Sequence, residues 1–344
     1  VTGEPRVTIR DVAARAGVSR AAVSLAFNDK PGVSAATRAR ILGVARDMGW
    51  EPNRSAQARK RAGTGTVGLA ICRPARQLGL EPFYMEFISG IESVLNERSS
   101  ALLLRLVRDV DEEVELQRHW WRSGQIAGSI LVDLRQQDAR VVELPRIGLP
   151  AVAVGHPDLA GPFPAVWTDD ASAVAEAVRY LAALGHTSVA RVGGHAELGH
   201  SALRTEAFAR TLRALDLSPD LQVATDFSGE QGASATRALL SGAVRPTAII
   251  YDNDVMAVAG LSVAGEMGLR VPSDLSLLAW DDSQLCGLTQ PRLSAMSHDV
   301  HAFGADVARR LFALLAGEGA VSRPARTPVL TPRGSTGPPP RRTV

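Results

Sequence analysis

Beyond residue 66, a few clusters carry side chains suited to holding a ligand: Phe83 and Tyr84, Asn253 and Asp254, Trp280 to Asp282, and His298. Each follows an apolar run that reads as a strand. Carboxylates and amides share hydrogen bonds with hydroxyls, and aromatic faces pack on C–H surfaces. The set suits a polyol. A nucleoside or base would use the same aromatics for stacking, and the polyol is the favoured reading. Asp281 and Asp282 also look like paired acids for hydrolysis, but no nucleophile or base is placed beside them, so no catalytic residue is assigned. The competing readings are structural. Asp254 suits an N-cap before Val255, Asp282 can cap a helix, and Phe83 can be core.

A second chemistry sits at the N-terminus. In IRDVAARAGVSRAAVSLAFN (Ile9–Asn28), apolar residues recur with helical spacing, stop at Gly17 and restart at Val18. Gly17 supplies the positive φ of a tight turn, and Ala13 lets two helices approach closely. The second helix turns Val23 and Phe27 inward and Arg20, Ala21, Ser24 and Asn28 outward. This is the pattern of a helix that enters a major groove by its first residues. Arg20 can donate two bonds to guanine, Ala21 and Leu25 can touch thymine methyls, and hydroxyls at Thr8, Ser19 and Ser24 suit phosphate. An ordinary helical hairpin is the competing reading.

Elements must position both sets. Thr8 (with Asp11), Ser19 and Ser34 read as caps of three short helices, the third running to about Met48. Pro52 fixes an exit, Asn53–Lys60 can form a fourth helix, and RAGTGTVG is a linker. Apolar runs then alternate with helix-like stretches. The strands are expected at Val67–Cys72, Ala101–Val107, Ala127–Leu134, Pro150–Gly155, Ser188–Gly193, Ala248–Asp252 and Asp274–Trp280, with another at Leu293–Met296. The helices are expected at Phe83–Arg98, Ala171–Leu184, Leu203–Leu215, Gly229–Ser241 and Asp254–Met267. Such alternation predicts parallel sheets in two α/β lobes whose strand ends share a cleft. The expected boundaries are a DNA-binding domain at 1–52, a hinge at 53–65, a two-lobed body at 66–336 and a disordered tail at 337–344.

Composition narrows the class. The chain has 344 residues, is 45% hydrophobic and carries a net charge of +2. Between Arg6 and Arg61, however, basic residues far outnumber the acids Asp11, Asp29, Asp47 and Glu51, so a polyanion is expected to meet that segment alone. Cys72 and Cys286 have no metal-ligand spacing; they suit a reducing compartment, although two cysteines can also pair. His186, His195 and His200 match no zinc spacing and read as loop histidines, and Trp120 and Trp121 as packing residues. No cofactor is implied. No run has the length of a membrane span and the N-terminus lacks a signal-peptide core, so a cytoplasmic location, nucleoid-associated when on DNA, is expected.

The spacing DVA..AGVS...VS...N....VS..TR..I...A...GW.PN..A resembles the lac repressor/galactose repressor family. PFYMEFISGIE, LGHTSVARVGG, YDNDVMAVAGLSVAGEMGLRVPSDLSLLAWDDS and RGST extend the resemblance along nearly the whole chain. It implies a homodimeric transcription regulator, expected to be a repressor. A small helix-turn-helix domain would precede a body like the periplasmic sugar-binding proteins, with a carbohydrate effector controlling affinity for a palindromic operator. By position, Thr8, Ser19, Ser24 and Asn28 would touch phosphate and Arg20, Ala21 and Leu25 would read bases. Many members carry arginine where Leu25 stands. Asn53, Ala56 and Arg59 would belong to a hinge helix in the minor groove, with Arg59 in place of the usual wedging leucine; a flexible basic linker is the other reading. Arg204, Phe227, Asn253 and Asp281 would hold the effector, beside Phe83, Tyr84 and His298. Glu81 replaces a frequent asparagine. A sugar-binding or sugar-processing protein with an accessory N-terminus is the alternative. Nothing after Ala316 builds a C-terminal coiled coil.

Overall fold

Three short helices come first: α1 (Ile9–Ala16), α2 (Arg20–Phe27) and α3 (Ala35–Asp47). The computed structural model describes residues 8–27, 31–48, 50, 65–217, 221–319 and 321–340. The expected caps hold each start. The Thr8 backbone N–H donates to the Asp11 carboxylate at 2.8 Å, Ser19 Oγ accepts from the Ala22 amide at 3.2 Å, and Ser34 Oγ accepts from Thr37 at 3.2 Å. Gly17 takes φ 64° with open space around its α-carbon, so backbone conformation alone requires glycine there. Val12, Ala13, Ala16, Val23, Ala26, Ile41 and Ala45 make the small core, and Trp50 closes it edge-on to Phe27 at 5.1 Å. Asn28, Asn53, Ala56 and Arg59 lie outside the described residues.

The body alternates as expected. Its first lobe runs β1 (Val67–Ile71), α4 (Ala75–Leu78), α5 (Pro82–Glu97), β2 (Leu102–Leu106), α6 (Val110–Ser123), β3 (Gly128–Leu131), α7 (Ala139–Arg146), β4 (Ala151–Val154) and β5 (Ala165–Trp167). The second runs α8 (Asp170–Ala183), β6 (Val189–Gly193), α9 (Gly199–Ala214), β7 (Leu221–Ala224), α10 (Gly229–Ser241), β8 (Ala248–Tyr251), α11 (Asp254–Glu266), β9 (Ser276–Asp281), α12 (Gln284–Leu288) and β10 (Ser294–Ser297). The chain then returns to the first lobe with α13 (Val300–Ala316) and β11 (Arg323–Pro324), and finishes in the second with β12 (Val329–Thr331).

The sheet orders are β11-β5-β4-β3-β1-β2 and β12-β10-β9-β8-β6-β7, the same pattern twice. All pairings are parallel except β10 with β12. Three passages join the lobes, after β5, β10 and β11. The return helix α13 locks onto α5 backbone to backbone: a Cβ on Gly90 would stand 1.9 Å from His301 O, and one on Gly304 2.1 Å from Phe87 O. No larger residue fits either position without moving a helix.

Three details differ from expectation. Residues 337–340 are not a disordered tail: Gly337 donates to Ser276 Oγ at 3.1 Å, and its carbonyl lies 2.9 Å from His186 Nε2. The helix expected from Leu203 starts at Gly199, whose N–H donates across the lobes to Leu134 O at 2.7 Å, a tertiary signal absent from local sequence. His200 lies on α9 and is not a loop histidine, whereas His186 is in the α8–β6 loop, buried. Cys72 and Cys286 are both free thiols. Trp120 is core, and Trp121 Nε1 donates to Ile147 O at 2.8 Å. Among the described residues, no helix is long and apolar enough to cross a membrane.

Candidate functional site

Strand ends from both lobes converge on one cleft of about 990 Å³, open mouth included. All seven residues expected to hold the effector line it: Phe83, Tyr84, Arg204, Phe227, Asn253, Asp281 and His298. Sequence reading missed Arg73, Asp133, His156, Trp167, Asp170, His200 and Asp252, which line it too. Several of these stand at or just beyond strand ends, a signal available once β1, β3, β4, β5 and β8 are drawn. Asp133, Phe227 and Asp281 have positive φ, at 53°, 68° and 76°. Strained backbone of this kind persists where surrounding contacts impose it.

The geometry refines several roles. Arg204 is held: Nη2 donates to Asp170 at 3.1 Å, Nη1 to the Asp252 carbonyl at 3.3 Å, and the guanidinium lies 4.1 Å over Trp280. Its Nε is buried with no hydrogen-bond partner. Burial would lower its pKa, but Asp170, Asp252 and Asp281 raise it instead. Asn253, expected to bind hydroxyls, spends its amide on the scaffold. Oδ1 accepts from Met256 N at 2.8 Å as the cap of α11, and Nδ2 donates to Phe227 O at 2.9 Å. The cap is therefore Asn253, and Asp254 is the first helical residue. Ser283 caps α12, and Asp282 instead pairs with Arg333.

On the other wall, Arg73 pairs with Asp133 at 3.1 Å and lies 4.8 Å over Phe227, joining the lobes. Tyr84 donates to Asp133 at 2.7 Å. Burial pushes the Asp133 carboxyl up, yet Arg73, His200 and Tyr84 hold it below the usual value. Burial drives the Tyr84 hydroxyl well up, helped by Asp133, so it stays a donor. Burial and Arg204 push His200 down, which keeps its ring neutral near pH 7. Glu81 begins α5 without a side-chain cap bond. Burial pushes it up to about 7, against the pull of Arg73. Asp281 receives His298 Nε2 at 3.1 Å. Phe83 is both cleft wall and core edge, stacked on Phe87 at 5.9 Å.

On the small domain, Arg20 and Ala21 are exposed, whereas Ser24 and Leu25 are half-buried. Leu25 packs toward Gly32, where a Cβ would stand 3.2 Å from Leu25 Cδ1, so this side chain serves the α2–α3 turn as well as any groove. The Thr8 hydroxyl donates to Asp11 at 2.7 Å, which commits the proton that a phosphate would need. Ser19 accepts in its cap and keeps its proton to donate.

A helix-turn-helix unit thus precedes two α/β lobes that enclose a polar-aromatic cleft. Residues 8–53 match bacterial regulatory proteins of the lacI family, and residues 178–336 match the periplasmic binding protein-like domain. The HTH-type transcriptional regulator CelR of Thermobifida fusca is 30% identical over 319 residues, covering 91% of this chain and 93% of that one. A solved CelR–cellobiose complex superposes with TM-score 0.73 at 28% identity, covering 96% and 100% of the two chains. A lac repressor dimer bound to operator and the anti-inducer ONPF gives TM-score 0.73 at 25% identity, covering 97% and 100%. The chain belongs to the LacI family of transcriptional regulators.

Proposed function

We propose that this regulator is a repressor that grips a palindromic operator as a homodimer and changes its grip when a carbohydrate occupies the cleft. The convergence of all seven expected effector residues on one cavity carries this reading. Aspartates, a buried arginine and aromatic faces are the partners that sugar hydroxyls and C–H surfaces use. The cellobiose in CelR and the operator in the lac repressor complex support the same assignment. Exposed Leu80 and Met85 around α5, with Leu104 on edge strand β2, offer apolar surface for a dimer. Two recognition helices would then meet half-sites about one helical turn apart. Ser19, Ser24 and Asn28 are assigned to phosphate, as is Thr8 once its hydroxyl turns from Asp11; Arg20, Ala21 and Leu25 are assigned to bases, and Asn53, Ala56 and Arg59 to the minor groove. Domain limits of 1–52, 53–65 and 66–336 follow. Chemistry on the sugar is not proposed, since the relatives are regulators and not enzymes.

Selection of genomic fragments by the purified protein at fixed salt, followed by sugar titration, tests the reading. Recovery of a palindrome that a sugar releases or tightens supports it. A protein that enriches no site, with and without sugars, sinks it. Arg20→Ala should cost about 1–3 kcal/mol on the preferred site and little on random DNA. Equal losses on both would make Arg20 a phosphate contact.

A further inference from the structure

Charge in the cleft is unevenly compensated. Asp133 has Arg73 at 3.1 Å, Asp170 has Arg204 at 3.1 Å, and Asp252 has Arg191 donating Nε at 2.8 Å. Glu81, Asp254 and Asp281 have no arginine or lysine in contact among the described residues; Asp281 has only the His298 ring. Asp254 is 2% exposed; its carboxylate accepts from Ser283, but its Oδ2 has no hydrogen-bond partner among the described residues. Glu81 is 7% exposed and makes no capping bond, although it starts a helix. These two acids come from opposite lobes and line the same cavity. Burying carboxylates without a compensating cation is costly, so the site favours a ligand that supplies the missing positive charge.

We propose that Glu81 and Asp254, beside Asp281, form a cation subsite, and that the effector is a polyol bearing a protonated amine, such as an amino sugar with its nitrogen unacylated. This rests on the carbohydrate reading above and narrows it. An ammonium has three donors and no acceptor, which matches three acceptor carboxylates. A neutral hydroxyl in its place satisfies fewer lone pairs and leaves the charge uncancelled. Charge supports the assignment: Glu81 sits raised to about 7 and Asp254 to about 6, burial being the main cause in each, with Asp281 adding to both. Arg73 pulls Glu81 the other way, and Asp133 pushes with the acids. A bound cation draws both carboxyls toward ionisation.

The test is calorimetric titration of the full chain at pH 7 with fully deacetylated chitobiose, N,N′-diacetylchitobiose and cellobiose. The amine disaccharide is expected to bind about tenfold tighter than either neutral one. Glu81→Gln should reduce that ratio to about twofold. Asp254→Asn is a second variant, and thermal unfolding checks that each variant folds. Equal or tighter binding of cellobiose overturns the cation subsite and leaves the carbohydrate reading standing. An amine preference that survives both substitutions overturns the assignment to these carboxylates. No heat from any of the three sugars, from protein with an intact unfolding transition, overturns the subsite and the carbohydrate reading together.

Discussion

The two lobes repeat one strand order, and each pairs an arginine from its first strand region with an aspartate after its third strand. In the first lobe the pair is Arg73 and Asp133; in the second it is Arg191 and Asp252. Their surroundings differ. Arg191 and Asp252 expose 2% and 0% of their side chains, and Arg191 also donates to Thr205 and Gln222, both at 2.9 Å. Arg73 lies on the cleft wall over Phe227 of the opposite lobe, and Asp133 keeps 13% of its side chain exposed. The same topology thus sinks one pair beneath the cleft floor, where Asp252 alone reaches the lining, and sets its counterpart on the open wall. Position in the fold is shared; access to the cleft separates structure from recognition.

The largest effect is expected from Arg191→Leu. It leaves Asp252 charged and buried, and it unseats the loop that carries Asn253 and Asp254. A loss of about 3–5 kcal/mol is expected in denaturant unfolding. A loss below about 1 kcal/mol would erase the distinction between the pairs. Arg73→Leu should cost less, about 1–2 kcal/mol, because Asp133 keeps the Tyr84 bond and some solvent. Its main effect should be on the ligand: removing a lobe-crossing contact from a cleft wall weakens effector affinity more than it weakens the fold. Parallel unfolding and binding measurements separate the two losses.

The smallest effect is a pH slope. Glu81 is raised from 4.5 to about 7 and Asp254 from 3.8 to about 6. A raised carboxyl favours the protonated folded state, so its contribution is complete below the unfolded pKa and is lost as pH rises through the folded one. His186, His195 and His200 are lowered and act with the opposite sign over part of this range, so the contribution is read against a variant: relative to Glu81→Gln, ligand-free protein should lose melting temperature between about pH 4 and 7. Asp133 and Asp252 are lowered and act with the opposite sign, in the more acid range, where their contribution is lost as pH falls. Parallel profiles from pH 5 to 7 in the parent chain and Glu81→Gln would remove the charge asymmetry from the cleft.

The small domain was legible because its signals are local. Caps at Thr8, Ser19 and Ser34, a turn at Gly17 and helical spacing all lie within a few residues of what they control. Eight strands were legible as apolar runs; the short β5 and β7 were not, and neither were α13, β11 and β12, whose places depend on a chain that leaves the first lobe and returns. The cleft was half legible. Asp281 and Phe227 could be placed, but the pairing of Arg204 with Asp170 and of Arg73 with Asp133 joins residues 34 and 60 positions apart. Asn253 shows the limit in another way. Its residue type suited a hydroxyl ligand, and only the contacts reveal that its amide is spent on the Phe227 carbonyl and the Met256 amide.

The glycine contact between α5 and α13 bears on how the protein is made. The first lobe's core includes Val300, Phe303, Val307 and Leu311, which leave the ribosome after every second-lobe strand but β12. Domains usually fold in the order of synthesis. Here the lobe begun first is completed late, so its apolar face waits uncovered while the second lobe forms. A stalled nascent chain ending at Ser297 should expose that face to protease, and one extended past Pro324 should protect it.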